Sequence, residues 1–300
     1  MTMKRIYILS VLALVSFASC GWEDPLAGLA GPEHEVIKPK TRGFTVMTYN
    51  IYGARGLQLE EDYEALASAI RYVEPDFVLI QEVDSCTVRQ GDLKCNSAAK
   101  LVEILDTTTI YKWHYNYSPA EYNLYSQGGA YGDAILSRHE ILWQKDYQLE
   151  YAQEHATESQ REKRSANVIK VQIDSKDVYV GCTHLDHLGT EYSRIYQAEQ
   201  LRDIVAEYEG EIFVMGGDFN SVPTSRTMQI VTTYLTPSYT DPSQYTFPSV
   251  RNAASPTSMI DYVMKANYSD RIQCSSSNIL NTKASDHCAV YAKYIFVNNE

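Results

Sequence analysis

The sequence predicts an α+β fold in which two β-sheets pack face to face with helices outside. Three observations carry this reading. From Gly43 onward, short apolar runs of strand length alternate with longer amphipathic stretches. Their order is mixed rather than a strict strand–helix alternation, which argues against one doubly wound sheet. Runs such as Phe77-Val78-Leu79-Ile80 are apolar without alternation, as strands covered on both faces are.

The elements follow in chain order. Phe44 to Tyr49 reads as a strand. Tyr63 to Val73 places Leu66, Ile70 and Val73 on one face of a helix. Asp76 to Ile80 is a buried strand, and Ala98 to Leu105 a helix. Ala134 to Leu136, Val168 to Ile173 and Val178 to Cys182 are strands. Tyr192 to Tyr208 is a long helix with Ile195, Leu201, Ile204 and Val205 inward. Glu211 to Met215, Met259 to Met264, Arg271 to Cys274 and Cys288 to Phe296 complete the strands.

Residues 1–19 read as an address. Lys4 and Arg5 precede an apolar run from Ile6 to Phe17, too short to span a bilayer as a helix. The run ends in Phe17-Ala18-Ser19-Cys20, which resembles a bacterial lipobox with Cys20 as the lipidated residue. The expectation is export with a lipid anchor in a bacterial membrane, on the periplasmic or cell-surface side. Residues 20–42 carry Pro25, Pro32 and Pro39 with little periodicity and read as a tether. Residues 43–297 are then a single catalytic domain.

The 300 residues hold 26 Lys plus Arg against 38 Asp plus Glu, a net charge of −12. That balance disfavours a broad electrostatic grip on nucleic acid. It leaves room for a site that holds a divalent cation. Outside the cytosol, Cys86 and Cys95, nine residues apart in a polar stretch, are expected to form a disulfide. Cys182 and Cys288 lie in apolar runs and read as buried hydrophobes.

Polar groups recur at the ends of the apolar runs. They are Asn50, Glu82, the stretch His184 to His187, Asp218 with Asn220, Asp261, and Asp286 with His287. A single strand-end Asp is usually a turn residue or cap; six such places are hard to explain that way. A carboxylate directly after Phe77 to Ile80, as Glu82 is, calls for a cation or donor. Asp, Glu and Asn oxygens without cysteine select Mg²⁺ or Mn²⁺, with Ca²⁺ as an alternative, over zinc. With two histidines near them, this inventory suits metal-assisted attack of water on a phosphate ester.

The set resembles the endonuclease/exonuclease/phosphatase family. The matching stretches are Thr48-Tyr49-Asn50, Gln81-Glu82, Tyr131-Gly132 before Ile135 to Arg138, Thr183-His184-Leu185, Gly217 to Asn220, Ile260-Asp261-Tyr262 and Ser285-Asp286-His287. The resemblance implies a four-layer αββα sandwich of two mixed sheets flanked by helices. It also implies a Mg²⁺-dependent phosphoric ester hydrolase acting on a small phosphorylated substrate or phosphodiester, here exported and monomeric. An exported nuclease acting on DNA or RNA is the alternative. Glu82 would bind the metal with Asn50 and Asp286. Asp218 would orient or deprotonate the attacking water. Asn220, His184 and Tyr131 would hold the phosphate, and Asp261 would fix the tautomer of His287.

Other polar residues read more blandly. Asp186 and His187 follow His184 closely; Asp186, two residues on along a strand, would share its face, so each reads either as a support behind His184 or as a loop residue. Arg194, Gln197 and Gln200 read as a solvated helix face, and Glu162-Lys163-Arg164 as a solvated edge. Tyr111 to Tyr131 carries six tyrosines, either a rim packed on the sheet or an aromatic wall. Tyr239, Tyr245 and Phe247 are candidates to face that wall.

Overall fold

The computed structural model describes residues 43–55, 61–91, 94–122, 128–155, 163–188, 190–238, 241, 244–250 and 255–297. The leader, the tether and Cys20 lie outside the described residues, as do Tyr239 and Glu162. No described helix is long and apolar enough to cross a membrane.

The first half of the chain gives β1 (Gly43–Asn50), α1 (Tyr63–Val73), β2 (Phe77–Ser85), α2 (Ser97–Thr108), β3 (His114–Tyr122) and β4 (Ala130–Ser137). Next come β5 (Trp143–Leu149), β6 (Arg164–Ile173), β7 (Lys176–His184), α3 (Tyr192–Ala206) and β8 (Ile212–Asp218). Then α4 (Arg226–Val231), β9 (Leu235–Pro237), β10 (Asp261–Ala266), β11 (Ile272–Leu280) and β12 (Ala289–Phe296) follow. One sheet has the order β11-β12-β1-β2-β4-β3 and the other β5-β6-β7-β8-β10-β9. Both are mixed. At the centre of each, a helix links two parallel strands: α1 joins β1 to β2, and α3 joins β7 to β8.

Side-chain alternation builds the layers. On β1, Met47 and Tyr49 pack with Leu66 and Ile70 of α1 and Leu101 of α2. Phe44 and Val46 point the other way and meet Val180 and Val214 of the second sheet. On β8, Phe213 and Met215 pack with Leu201 and Val205 of α3. Three apolar layers therefore separate four layers of elements, the expected αββα sandwich. Gly216 on β8 leaves no room for a side chain. A Cβ there would sit 2.8 Å from Cδ1 of Leu79 and 2.9 Å from the carbonyl of Tyr262.

The helices start where polar caps allow. Asp62, Asn96 and Ser225 each accept the amide three residues on, at 3.0, 3.0 and 3.1 Å. Each cap supplies an acceptor for one of the orphan amide donors at a helix start.

Several expectations are corrected. β2 does not stop at Ile80 but runs to Ser85, with a bulge between Ile80 and Val83. Glu82 sits in that bulge at φ +59°, a conformation costly for a residue with a Cβ. The polar strand β5, the short helix α4 and β9 were not foreseen, since they carry few inward apolar residues. The tyrosine-rich stretch forms edge strand β3, with Tyr117 packed toward the α1–α2 side. Cys86 and Cys95 are not bonded to each other. Cys86 Sγ turns to the carbonyl of Lys94 at 3.3 Å, while Cys95 Sγ turns inward to the hydroxyl of Tyr63 at 3.7 Å. Cys182 and Cys288 are buried as expected.

Candidate active site

The two central parallel pairs end on the same side of the sandwich, and their C-terminal ends carry the site. Asn50 ends β1, His184 ends β7 and Asp218 ends β8. Register places His184 beside Asp218, and Asp218 opposite Asp261. Ser285 Oγ donates to the carbonyl of Asn50 at 2.6 Å and so brings the Asp286-His287 segment to the end of β1.

Asp218 is the hub. Its Oδ2 lies 3.1 Å from Asn50 Nδ2, 3.5 Å from His184 Nε2 and 3.7 Å from His287 Nε2. Its Oδ1 accepts the backbone amide of Asn220 at 2.8 Å. Burial, and then the charge of Asp261, push its carboxyl up to about 7. His287 Nδ1 donates to both oxygens of Asp261, at 3.1 and 3.0 Å. That tether fixes the ring. Burial alone would lower His287, but Asp261 and then Asp218 outweigh it and raise the imidazole to about 10. His287 is thus a held cation.

His184 is its opposite. Burial, and then the guanidinium of Arg164, hold it well below the usual imidazole range. Arg164 Nη1 reaches His184 Nδ1 at 3.3 Å. An arginine can only donate, so Nδ1 accepts from it. This answers what stands behind His184: an arginine, not a carboxylate. Asp186 is not its partner. It has left the strand, and its Oδ1 accepts the amide of Leu188 at 3.1 Å.

Arg164 was read as a solvated edge and is instead 2% exposed. Besides His184 it donates Nη1 to the hydroxyl of Tyr131 at 3.4 Å and Nη2 to His187 Nδ1 at 2.9 Å. Arg194 and Gln197 are likewise buried rather than solvated. Gln197 Oε1 accepts the amide of Asp186 at 2.9 Å, and Arg194 Nη1 donates to the carbonyls of Asp186 and Leu188 at 3.1 and 2.7 Å. Together they pin the loop behind His184.

A strap from Thr246 to Ser249 holds the Asp261–His287 pair. Thr246 Oγ1 accepts the amide of Asp261 at 3.2 Å, and its carbonyl accepts that of Cys288 at 2.7 Å. The Phe247 ring lies 4.7 Å from that of His287. Tyr245 is exposed, and the only hint of the strap in the sequence is a Thr-Phe-Pro near Asp261.

The metal set is partly brought together. Asn50 meets Glu82 Oε1 at 3.3 Å, but through its amide nitrogen, because its Oδ1 accepts the amide of Tyr52 at 3.0 Å. Asn50 therefore spaces two carboxylates, Glu82 and Asp218, instead of facing them with oxygen. Asp286 bonds Ser285 Oγ at 3.4 Å, and its charge acts on His287. Asp218, Asp261 and His287 offer three ligand atoms within 4.8 Å of one another. Asp261 also holds His287 Nδ1 through both of its oxygens. The cluster has more carboxylates than cations and only hard donors, which fits a divalent ion at Glu82. Asn220 Nδ2 lies 3.1 Å from His184 Nε2 and 3.0 Å from the carbonyl of Leu185, placing the two phosphate candidates side by side.

Comparison with known proteins bears on the family and the fold. The model described as Endonuclease/Exonuclease/phosphatase family matches residues 47–287. No curated protein matches the sequence. Among solved structures, an endonuclease/exonuclease/phosphatase from Beutenbergia cavernae superposes with TM-score 0.68 at 23% identity, covering 85% of this chain and 72% of that one. One from Bacteroides vulgatus gives TM-score 0.66 at 20% identity, covering 85% and 99%. A mannosyl-6-phosphatase of Bacteroides thetaiotaomicron gives TM-score 0.63 at 16% identity, covering 84% and 100%.

Proposed function

We propose that this chain, which belongs to the endonuclease/exonuclease/phosphatase family, hydrolyses small phosphate esters with the help of Mg²⁺. Members of the family are phosphoesterase hydrolases, typically dependent on a divalent metal. The observation that carries the finer reading is the convergence on Asp218 Oδ2 of Asn50, His184 and His287 within 3.7 Å. A base raised toward neutrality stands there between a neutral imidazole and a fixed cation, an arrangement that suits phosphoryl transfer.

In this reading a water molecule attacks phosphorus and Asp218 takes its proton. The P–O bond to the leaving group breaks, and the departing oxygen collects a proton from solvent. His184, the Asn220 amide and the Tyr131 hydroxyl hold the phosphoryl oxygens. His287, held positive by Asp261, offsets the charge that builds on them. Glu82 would hold the metal, with Asp286 near it, and the bound ion would supply Lewis-acid stabilisation of that charge.

The acidic balance of the chain favours a small ester over nucleic acid. The leader ending at Cys20 supports an exported, lipid-anchored enzyme on the outer side of a bacterial membrane. The test is hydrolysis of p-nitrophenyl phosphate and bis(p-nitrophenyl) phosphate with Mg²⁺ and with EDTA, beside plasmid nicking and an Asp218→Asn control. Turnover that needs metal and Asp218 supports the reading. Nicking without ester turnover would replace it with a nuclease.

A further inference from the structure

We propose that a cleft between residues 150–155 and the outer face of α3 binds an organic cation, an alkylammonium group held by tyrosine rings and carboxylates. None of its lining residues belongs to the set gathered around Asp218. Its readout is binding, so it does not depend on the hydrolase reading.

The cleft has a volume of about 650 Å³. One wall is α3. Tyr192, Ile195, Tyr196 and Glu199 stand at i, i+3, i+4 and i+7 and form one stripe along the helix. Arg194, Gln197, Ala198, Leu201 and Val205 are buried on the other side. The stripe is therefore a second face that the core does not use, and Ile195, expected inward, lies on it. The other wall is residues 150–155, and α3 holds it at three points. Gln200 Oε1 accepts the amide of Glu150 at 3.0 Å, and its Nε2 donates to the carbonyl of Glu150 at 3.0 Å. Ser193 Oγ accepts the amide of Ala152 at 3.3 Å. The rings of His155 and Tyr192 stack with centroids 4.0 Å apart and planes 19° apart. Gln200, read from the sequence as solvated, is thus what fixes this wall.

The lining selects the charge of the occupant. It carries Glu150, Glu154 and Glu199 and neither lysine nor arginine, so an anion is repelled. Lys163 Nζ offsets Glu150 at 3.0 Å, and no other ion pair among the described residues reaches Glu154 or Glu199. A bare metal ion is a poor occupant, because it wants a shell of oxygens, and Tyr151, Tyr192, Tyr196 and Ile195 make much of these walls. A cation clothed in carbon suits both features: its alkyl groups pack on the rings while its charge meets ring faces and acids. Tyr192 and Tyr196 are 51% and 44% exposed, so a ligand can reach them. The cleft borders the catalytic end of the sandwich. Leu149 is in register with Arg164, and Glu150 comes next in the chain.

The test is a ligand-observed NMR titration of the full chain with tetramethylammonium and with tert-butanol, a neutral molecule of similar size and shape. Tetramethylammonium should bind about tenfold or more tightly than tert-butanol. Tyr196→Leu keeps apolar bulk but removes the ring, and Glu199→Gln keeps shape but removes the charge. Each should weaken the cation about threefold or more. Tyr196→Phe keeps the ring and should bind within about twofold of wild type. Thermal melting checks that the variants fold; should Tyr196→Leu not fold, Glu199→Gln decides. No binding of tetramethylammonium overturns the proposal. Equal binding of the two probes overturns it too, since the cleft is then merely apolar. Cation binding that survives both Tyr196→Leu and Glu199→Gln unchanged places the cation elsewhere and overturns it as well. Absence of ester turnover would sink the hydrolase reading and leave this result standing.

Discussion

Asn50 Nδ2 donates to Asp218 Oδ2 at 3.1 Å from one sheet to the other, since β1 and β8 belong to different sheets. The same nitrogen lies 3.3 Å from Glu82 Oε1. One amide therefore keeps two like charges apart and aims both. Replacing it with a carboxylate would place three acids together.

Asn50→Asp should lower kcat/KM by about 100-fold or more, and Asn50→Ala by about 10- to 100-fold, the worth of a hydrogen bond to a charged group. Steady-state kinetics at saturating metal checks this. Loss in KM alone, with kcat intact, would place Asn50 in substrate binding instead.

Asp261 and His287 should behave as one unit. Each alanine variant is expected to be severely impaired, and the double variant little worse than either. A double-mutant cycle on kcat/KM measures the coupling; additive losses would mean that the two act separately.

Glu82→Gln should bind Mg²⁺ at least tenfold more weakly, because it removes the charge the ion would meet while preserving shape. Calorimetric titration of the folded variant reads this without turnover. Equal affinity would move the ion to other oxygens.

Asp133 makes stability depend on pH. Burial raises its carboxyl to about 7; Ser165 and then Arg164 oppose the rise, and Asp218 and Glu82 add to it. A raised acid stabilises the fold most when protonated in both states, so its contribution is lost as pH climbs from about 4 through 7. Over that window the loss is on the order of a few kcal/mol. Asp133→Asn should flatten that part of the profile and be the more stable protein at pH 8. Chemical denaturation at pH 4.5, 6 and 8 checks the slope; parallel curves for the two proteins would show that the carboxyl does not titrate there.

Much of this architecture is readable from residues. Helix α1 begins and ends where Asp62 and the Leu66–Ile70 stripe place it. The strand-end acids and histidines converge because parallel strands joined by a crossover finish on one side. The bulge at Glu82 was not legible, because periodicity describes regular pairing and a bulge is its interruption. Strand β5 was missed because a polar edge strand buries little besides Leu149. Arg164 was missed for a different reason: beside Lys163 it looks like a solvated run, and only the crossing of β6 over β4 makes it internal.

The division of the site between sheets sets when it can work during folding. Each central strand–helix–strand unit is local in sequence, yet neither contains both Asn50 and Asp218. During refolding, helical and strand signals can therefore recover while turnover is still absent. Catalysis returns only with the docking of the halves, so the lag between the two signals times that single event.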